Sequence, residues 1–517
     1  MLFRNRGLRT KEQQEEFLNP RNPYRLTPKE AGMSSVQVIK AVKRIKQAIR
    51  KKEKIIVYGD FDADGVCATA IMWEALEKLE AKAMPFIPRR EEGYGLKVDR
   101  IDEMVKEEVK LIVTVDQGIV HSKQVEHAKK MGIDVIITDH HLPGQEKPKA
   151  LAIIHTTQLS GAGIAWFLTK EMGLKRNLAL AAIGTVADIS PLVGPNRSLV
   201  KFGLEALKKT KRLGLLSLFQ FAGIEREKIS TYEIGFIIGP RINASGRMDD
   251  PMGALRLICT RDKRRADDLA QEIDQKNRER QKLMGQTTIH ARNLWLTEDG
   301  KSALIFVYHQ SYEHGVVGLV ANKLKEEFYR PAVVLAPRED YWVASARSID
   351  EFSMIDAIRQ LKGFIGEHGG HRLAAGFSVT QDKLEAVKRG LIEMAEKELD
   401  KSKLSPRLKV DLEVEVTDLN LALYQKLEKF APFGQGNPQP VFASRGLKVF
   451  NARKVGGDGQ HLKMKIEGFE AIGFGMSELY ARLSPKEPID VAYNLTLNEW
   501  NHQRKLELRL KDIKGFG

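Results

Sequence analysis

From Lys54 to about Ile189 the chain alternates short β-branched apolar runs with amphipathic segments whose apolar positions recur every three to four residues. KIIVYGD, AKAMPFIP, KLIVTVD and GIDVIITD read as strands, and the segments between them mostly as helices. That order predicts βαβ units and a mostly parallel sheet. Three of the runs end in Asp. Residues 196 to 290 predict helix, within which TRDKRRADDLAQEIDQKNRERQKLMGQ is long, highly charged and poor in apolar positions. It suits a solvated connector between domains better than an interface. SALIFVYHQ followed by GVVGLVANKLKEEFYRPAVVLA predicts strand, helix and strand of a second α/β domain ending near Lys401, with KSKLSP as a linker.

Beyond the linker the period changes to two. VDLEVEV (410 to 416), HLKMKI (461 to 466) and KLELRLKDI (505 to 513) alternate apolar with charged residues, as half-buried strands do. A small OB-like β-barrel or a sandwich is expected. In HLKMKI the outward residues are His461, Lys463 and Lys465, close to Phe450, Arg453 and Trp500. Positive charge mixed with stacking aromatics is how OB-type barrels bind single strands, the alternative being a plain solvated face. The expected organisation is an α/β domain over 1–260, a connecting helix over 261–295, a second α/β domain over 296–402 and the OB-like domain over 403–517.

Composition adds a partner class. Lys and Arg number 83 against 68 Asp and Glu, for a formal charge of +15 and a pI near 9.4. That balance suits a polyanion such as nucleic acid. The two cysteines, Cys67 and Cys259, allow neither a disulfide framework nor a thiolate zinc site. No signal-peptide core and no run of about 18 apolar residues is present, so a cytoplasmic protein with no membrane partner is expected.

The chemistry starts at Asp60, Asp62 and Asp64, three carboxylates crowded after an apolar strand. Neighbouring anions of this kind are stable when a cation sits among them. Asp60, Asp62, Asp64 and Gly65 mimic the start of a calcium loop, but the twelfth position is Ile71 instead of Glu, and a strand precedes instead of a helix. Three further segments bring metal-type ligands to what reads as a strand end: Asp116 in IVTVDQGI, Asp139, His140 and His141 in VIITDHH, and Asp188 in IGTVADISPL. On one edge of a parallel sheet these hard oxygens plus imidazole suit Mn²⁺ or Mg²⁺. Two such ions could serve an in-line phosphoryl displacement, so phosphoester hydrolysis is the expected reaction.

DFDADG, VDQG, DHH and VAD, in this order, resemble the four motifs of the DHH phosphoesterase superfamily. GPRINASGRMDDP (239 to 251), SARSID (345 to 350), HGGHRLAAGF (368 to 377) and FGQGNPQPVF (433 to 442) further resemble the RecJ family of single-strand exonucleases, almost end to end. The first domain is then a DHH domain and the second, marked by Gly369 to Gly376, a DHH-associated domain. The resemblance implies two Mn²⁺ or Mg²⁺ ions in a cleft between these domains and processive 5′ to 3′ degradation of single-stranded DNA to mononucleotides. Asp116 would bridge the ions, Asp64, His140 and Asp188 would hold one of them, and Asp62 with Asp60 the other. Relatives with small substrates carry a histidine where Tyr58 stands, which leaves the second ligand set open. His141 is cast as a group that touches substrate or supports the ligands.

The same resemblance assigns Arg89 and Tyr94 to the nucleic-acid path, and Ser345 and Arg347 to a pocket for the 5′ phosphate beside Gly369, Gly370 and His371. Arg241, Asn243 and Arg247 are expected to face the cleft, a structural turn being the alternative. The chain departs from the pattern at His314 and Gly315, where a proline is missing, at Gln117 and in a short 155–161 segment; Gln117 is expected to stand apart from the chemistry. No further domain is expected beyond Gly517, nor docking through one; a single-strand-binding protein or helicase is nonetheless a candidate partner, and a monomer is expected. Two rivals are a phosphodiesterase for short RNA or cyclic dinucleotides, which would need neither the barrel nor the connector, and a non-catalytic replication scaffold, which would not need every ligand.

Overall fold

The computed structural model describes residues 1–89, 92–93, 95–248, 250–400, 404–483, 487–500 and 503–515, with the side chains of 247, 248, 499, 500 and 503 left out. The chain forms two compact units, one of Met1–Gly246, Asp250–Gln271 and Leu408–Gly517, the other built on Glu272–Arg407.

The first unit holds a five-stranded, all-parallel sheet of β1 (Lys54–Tyr58), β2 (Ala83–Phe86), β3 (Val109–Val115), β4 (Asp134–Asp139) and β5 (Ala152–His155), in the order β2-β1-β3-β4-β5. Strands covered on both faces read as continuous apolar runs, and β1, β3 and β4 do so. Strand order reverses between β1 and β3, so their carboxyl ends open a crevice of the type in which α/β sheets bind ligands. Asp60 follows one of those strands and Asp116 the other.

Helix α1 (Ala63–Lys78) leaves this crevice and is buried along most of its length. It starts at Ala63 because Asp62 caps it: Asp62 Oδ1 accepts a hydrogen bond from Gly65 N at 2.9 Å. Asp64 therefore lies in the first helical turn. Helices α2 (Gly161–Glu171) and α3 (Leu178–Ala187) pack on α1. The expectation that Asp188 ends a strand is corrected here, since TVAD closes α3. Every residue of LALAAIGT is buried, and an uninterrupted apolar run cannot distinguish a buried helix from a buried strand by periodicity. Helices α4 (Gly194–Lys208) and α5 (Gly239–Met248) follow. Helix α6 (Lys263–Glu298), 36 residues long, runs from the first unit into the second, but it is not solvated throughout as expected, since Ile273, Asp274, Asn277 and Arg280 are buried.

The second unit carries a mixed sheet, β6 (Ile305–Tyr308), β7 (Ala332–Arg338), β8 (Tyr341–Arg347), β10 (Ala374–Thr380) and β9 (His368–His371) in that order, with α7 (His314–Phe328) between β6 and β7.

The C-terminal module in the first unit is a seven-stranded sheet of OB type. It comprises β11 (Leu412–Glu413), β12 (Phe442–Leu447), β13 (Val449–Val455), β14 (His461–Ile466), β15 (Phe469–Gly473), β16 (Ile489–Trp500) and β17 (Gln503–Lys514), ordered β11-β12-β16-β17-β15-β14-β13. Among the described residues no ladder joins β11 to β13, so the sheet stays open. VDLEVEV pairs only briefly before a 3₁₀ turn at Val416–Asp418, although Leu412, Val414 and Val416 all reach the core. Its period-two pattern reports burial, not ladder length. In β14, Leu462, Met464 and Ile466 point inward and His461, Lys463 and Lys465 outward, as expected.

Candidate metal centre

Asp64 is 1% exposed, and its two oxygens accept hydrogen bonds from the first-turn amides of α2: Oδ2 from Gly161 N at 2.6 Å, Oδ1 from Ala162 N at 3.0 Å. A helix N-terminus turned on a carboxylate favours its anionic form. The small residues of α2 and α3 make this approach possible. A Cβ on Gly161 would run into the Asp116 side chain, and one on Gly184 into Asp64 Oδ1. Ser160 caps α2 through Gly163 N at 3.2 Å.

Asp116 follows β3 with φ of 62°, a left-handed conformation that Asp tolerates better than most side chains. The next residue holds it there. Gln117, fully buried, donates from Nε2 to Gly59 O at 3.0 Å and Tyr58 O at 3.3 Å, and its carbonyl accepts from Thr114 Oγ1 at 2.7 Å. Gln117 thus ties the end of β3 to the end of β1, where Asp60 stands. These contacts are to the backbone that carries Asp60, so Gln117 serves the scaffold of the site.

His140 joins two carboxylates, with Nε2 3.1 Å from Asp116 Oδ1 and Nδ1 3.8 Å from Asp188 Oδ2. Asp188 also accepts from Ser190 Oγ at 2.7 Å. His141 is oriented by Asp139, whose Oδ1 lies 2.8 Å from His141 Nδ1 and also accepts from the His140 and His141 amides, while Oδ2 accepts from Ile119 N. The carboxylate of Asp139 is consumed in shaping the DHH turn.

Electrostatics separates these groups. Burial, then the charge of Asp62, pushes Asp60 up to about 8. Burial followed by neighbouring carboxylates raises Asp64 and Asp116 well above the ordinary range, and burial lifts Asp188 to about 6 against the Ser190 hydrogen bond. His140 falls to about 4 through burial and the charge of His141. Burial also disfavours the His141 cation, but the Asp139 partner overcomes it and raises His141 to about 9.

Two unit charges 4 Å apart repel by about 4 kcal/mol at an effective dielectric constant near 20, more than a helix cap or a single hydrogen bond returns. The cluster therefore needs protons or a cation. Among the described residues, three sets of side chains offer ligand atoms all within 4.8 Å of one another: Asp60, Asp62 and Asp116; Asp64, His140 and Asp188; and Asp116, His140 and His141. Asp60 Oδ1 is buried without a hydrogen-bond partner, so it has an unmet need for a cation or a donor. Carboxylate oxygens with a neutral imidazole fit Mn²⁺ or Mg²⁺.

The remaining candidates are more dispersed. Arg89 is exposed after β2, Tyr94 lies outside the described residues, and so does the side chain of Arg247. Asn243 on α5 accepts from Ala63 N at 2.7 Å, clasping the start of α1, and Arg241 Nη1 donates to Ile237 O at 3.0 Å. In the second unit Ser345 and Arg347 share one face of β8, with Arg347 Nη1 3.3 Å from Ser345 Oγ. The first turns of α7 close over them: a Cβ on Gly318 would lie 2.9 Å from Ser345 Oγ and 3.2 Å from Arg347 Nη2. His371 is exposed at the end of β9, and Gly370 has φ of 141°. Gly161, Ala162, Gly184, Gln117 and Ser190 were not singled out as site residues in the sequence. The SGAG run opening an apolar helix is the one local signal that could have revealed part of this shell.

Three family descriptions match the chain: DHH family, N-terminal domain over residues 54–187, DHHA1 domain over 300–398 and RecJ OB domain over 410–512. The single-stranded-DNA-specific exonuclease RecJ of Bacillus subtilis is 36% identical over 99% of this chain and 67% of its own length. That of Escherichia coli is 32% identical over 99% of this chain and 95% of its own. The crystal structure of RecJ from Thermus thermophilus in complex with Mn²⁺ superposes with a TM-score of 0.86 at 30% identity, covering 99% of this chain and 75% of that one. A Mg²⁺ complex of the same protein gives 0.79. With this likeness running through both α/β sheets and the OB-type sheet, the chain belongs to the RecJ family of single-stranded-DNA-specific exonucleases.

Proposed function

We infer that this protein is a metal-dependent exonuclease that degrades single-stranded DNA from the 5′ end to mononucleotides. The observation that carries the reading is the convergence of Asp60, Asp62, Asp64, Asp116, His140 and Asp188 from the ends of β1, β3, β4 and α3 into overlapping ligand sets. Asp64, His140 and Asp188 would hold one ion and Asp60 with Asp62 the other, Asp116 being shared. A bound Mn²⁺ or Mg²⁺ pair supplies Lewis acidity, an acidified water and a charge to balance the phosphate. The chain does the placing. His140, held neutral, presents a lone pair, and the α2 amides keep Asp64 aimed. His141, cationic beside Asp139, offers a positive donor to a non-bridging phosphate oxygen or to the departing oxygen.

We assign 1–260 as the DHH catalytic domain, 261–295 as the connector, 296–402 as the substrate-binding domain and 403–517 as the nucleic-acid-binding module. Ser345, Arg347, Gly370 and His371 would receive the 5′ phosphate, with Arg89, Tyr94, Arg241, Asn243 and Arg247 along the strand's path. On the OB-type sheet Phe450 stands opposite Lys465 and Arg453 opposite Lys463 across the β13–β14 ladder, a basic and aromatic surface for a strand. Among the described residues no helix is long and apolar enough to cross a membrane. The protein would act as a cytoplasmic monomer in DNA repair and recombination, with a single-strand-binding protein or helicase as candidate partners. Digestion of 5′-labelled and 3′-labelled DNA and RNA single strands with Mn²⁺, Mg²⁺ or chelator tests the reading. Early release of labelled mononucleotide from the 5′-labelled DNA alone, abolished by chelator, is expected; release from the 3′ label first, or equal RNA cleavage, overturns it.

A further inference from the structure

Asp188 is reached from two sides. On one it caps α3, with its amide donating to Gly184 O at 2.9 Å. On the other the chain turns sharply: Ile189 adopts φ of 59°, a conformation that costs a β-branched residue free energy and persists only where its surroundings enforce it. The bend itself is set by two backbone hydrogen bonds to the last turn of α3, Ile189 N to Val186 O and Ser190 N to Thr185 O, each 3.1 Å, and the residues that follow it are held by the C-terminal module. Leu192, 2% exposed, donates its amide to Gln435 O at 2.7 Å. The turn that carries Gln435 lies so close that a Cβ on Gly434 would stand 2.7 Å from Leu192 Cδ1, and one on Gly436 3.1 Å from Pro191 Cβ. Asn196 closes the loop from below, donating to Pro191 O at 3.1 Å and Gln158 O at 2.9 Å.

The turn itself is firmly held. Gly434 and Asn437 exchange backbone hydrogen bonds at 2.9 and 3.1 Å. Asn437 is fully buried, donates to Phe430 O and Pro432 O, and accepts from Arg6 Nε at 2.7 Å. Arg197 on α4, 1% exposed, donates to Ala431 O and Pro432 O, and Thr231 Oγ1 donates to Phe433 O at 2.6 Å. The segment that begins with Thr231 continues into Ile234–Ile238, which packs on α3.

We propose that the Phe433–Asn437 turn of the C-terminal module positions the metal-binding carboxylate Asp188, by clamping Pro191 and Leu192 so that the strained Ile189 bend keeps Oδ2 facing His140. Gln435, Gly434 and Gly436 are positioning residues, and the module that handles nucleic acid is also part of the metal centre's scaffold. The inference rests on Asp188 being a ligand.

The test is Mn²⁺ affinity, read from the electron paramagnetic resonance signal of free Mn²⁺ titrated into the full-length protein. Gly436→Ala is compared with Gly446→Ala, a glycine of the same module with φ of 64° against 73° for Gly436, but with nothing within 4 Å of an added Cβ. Both substitutions strain a left-handed turn; only the first presses on Pro191. Gly436→Ala should weaken Mn²⁺ binding about tenfold, with activity recovered at high Mn²⁺, while Gly446→Ala binds as the parent does. If Gly436→Ala does not fold, Leu192→Ala should show a loss of about threefold in the same titration. Parental affinity in the folded Gly436→Ala or Leu192→Ala protein, with Asp188→Ala weakened, overturns the positioning role. Parental affinity in Asp188→Ala overturns the ligand assignment, and this inference with it.

Discussion

Asp116 Oδ1 and His140 Nε2 lie 3.1 Å apart, although they come from the ends of different strands, and through this contact the candidate set Asp60, Asp62 and Asp116 meets the candidate set Asp64, His140 and Asp188. Removing the charge of Asp116 while keeping its shape isolates that role. Asn tolerates the left-handed backbone of residue 116 nearly as well as Asp. Asp116→Asn should therefore fold, lose hydrolysis by at least about 100-fold, and still bind a single strand. Its metal-free form should melt about 2–4 °C higher than the parent, because a buried repelling carboxyl is gone. Residual activity above a few per cent, measured with saturating Mn²⁺, would contradict a shared ligand.

The pH dependence of the metal-free protein follows from the same crowding. Asp60 and Asp188, raised to about 8 and about 6, bind protons more tightly folded than unfolded, where an Asp titrates near about 3.9. Their contribution is fully present below that value and lost as pH rises through 6 and 8. His141, raised to about 9, loses its contribution on the same rise. His140, lowered to about 4, acts oppositely, but only below its unfolded value near 6.5. Between pH 7 and 9, then, the melting temperature of the metal-free protein should fall. Saturating Mg²⁺ should remove the Asp60 part of that fall, since it favours the ionised carboxylate, and leave the His141 part. A flat or rising metal-free profile over this window, by differential scanning fluorimetry, would show that the carboxylates carry no such strain.

Much of this centre was legible because strand ends and paired ligands are local features: an apolar run followed by Asp or by Asp-His-His declares itself within eight residues. Asp188 was legible as a candidate ligand but not as the end of a helix, because TVAD follows an apolar run with no polar face to reveal its period. Gln117 was not legible at all. Its importance lies in a side-chain amide reaching the carbonyls of residues 58 and 59, a contact made only when β1 and β3 are neighbours. The FGQGN turn likewise reads locally as a tight turn, and its contact with Leu192 spans more than 240 residues of chain.

On the OB-type sheet the basic face is less positive than the alternation of HLKMKI implies, because Glu470 on β15 lies 3.5 Å from Lys463 Nζ and 3.8 Å from Lys465 Nζ. Half-exposed pairs of this kind contribute little to stability, but they compete with phosphates for the lysines. Glu470→Gln should strengthen binding of a long single strand at low salt by a few-fold. Lys463→Ala with Lys465→Ala should weaken it and flatten the slope of log affinity against log salt by about 1.4, at about 0.7 per phosphate. Fluorescence anisotropy across a salt series checks both, and unchanged slopes would remove this face from the strand's path.

Asn243 permits a sharper separation of two roles. Its Oδ1 takes the Ala63 amide at 2.7 Å, one of the first amides of α1, which has no partner within its own helix. Removing such a cap costs about 1 kcal/mol and loosens the turn on which Asp62 and Asp64 sit. If Asn243 serves the centre chiefly by holding α1, Asn243→Ala should lower the melting temperature by a few degrees and reduce kcat, and KM for the strand should stay near the parental value. If the side chain binds phosphate instead, KM should rise with stability intact, and Asn243→Asp, which keeps the accepting oxygen but adds a repelling charge, should be worse than Ala for KM. A clasp predicts the reverse order for stability, with Asp retaining more than Ala, so steady-state kinetics and melting curves on the two variants decide between them.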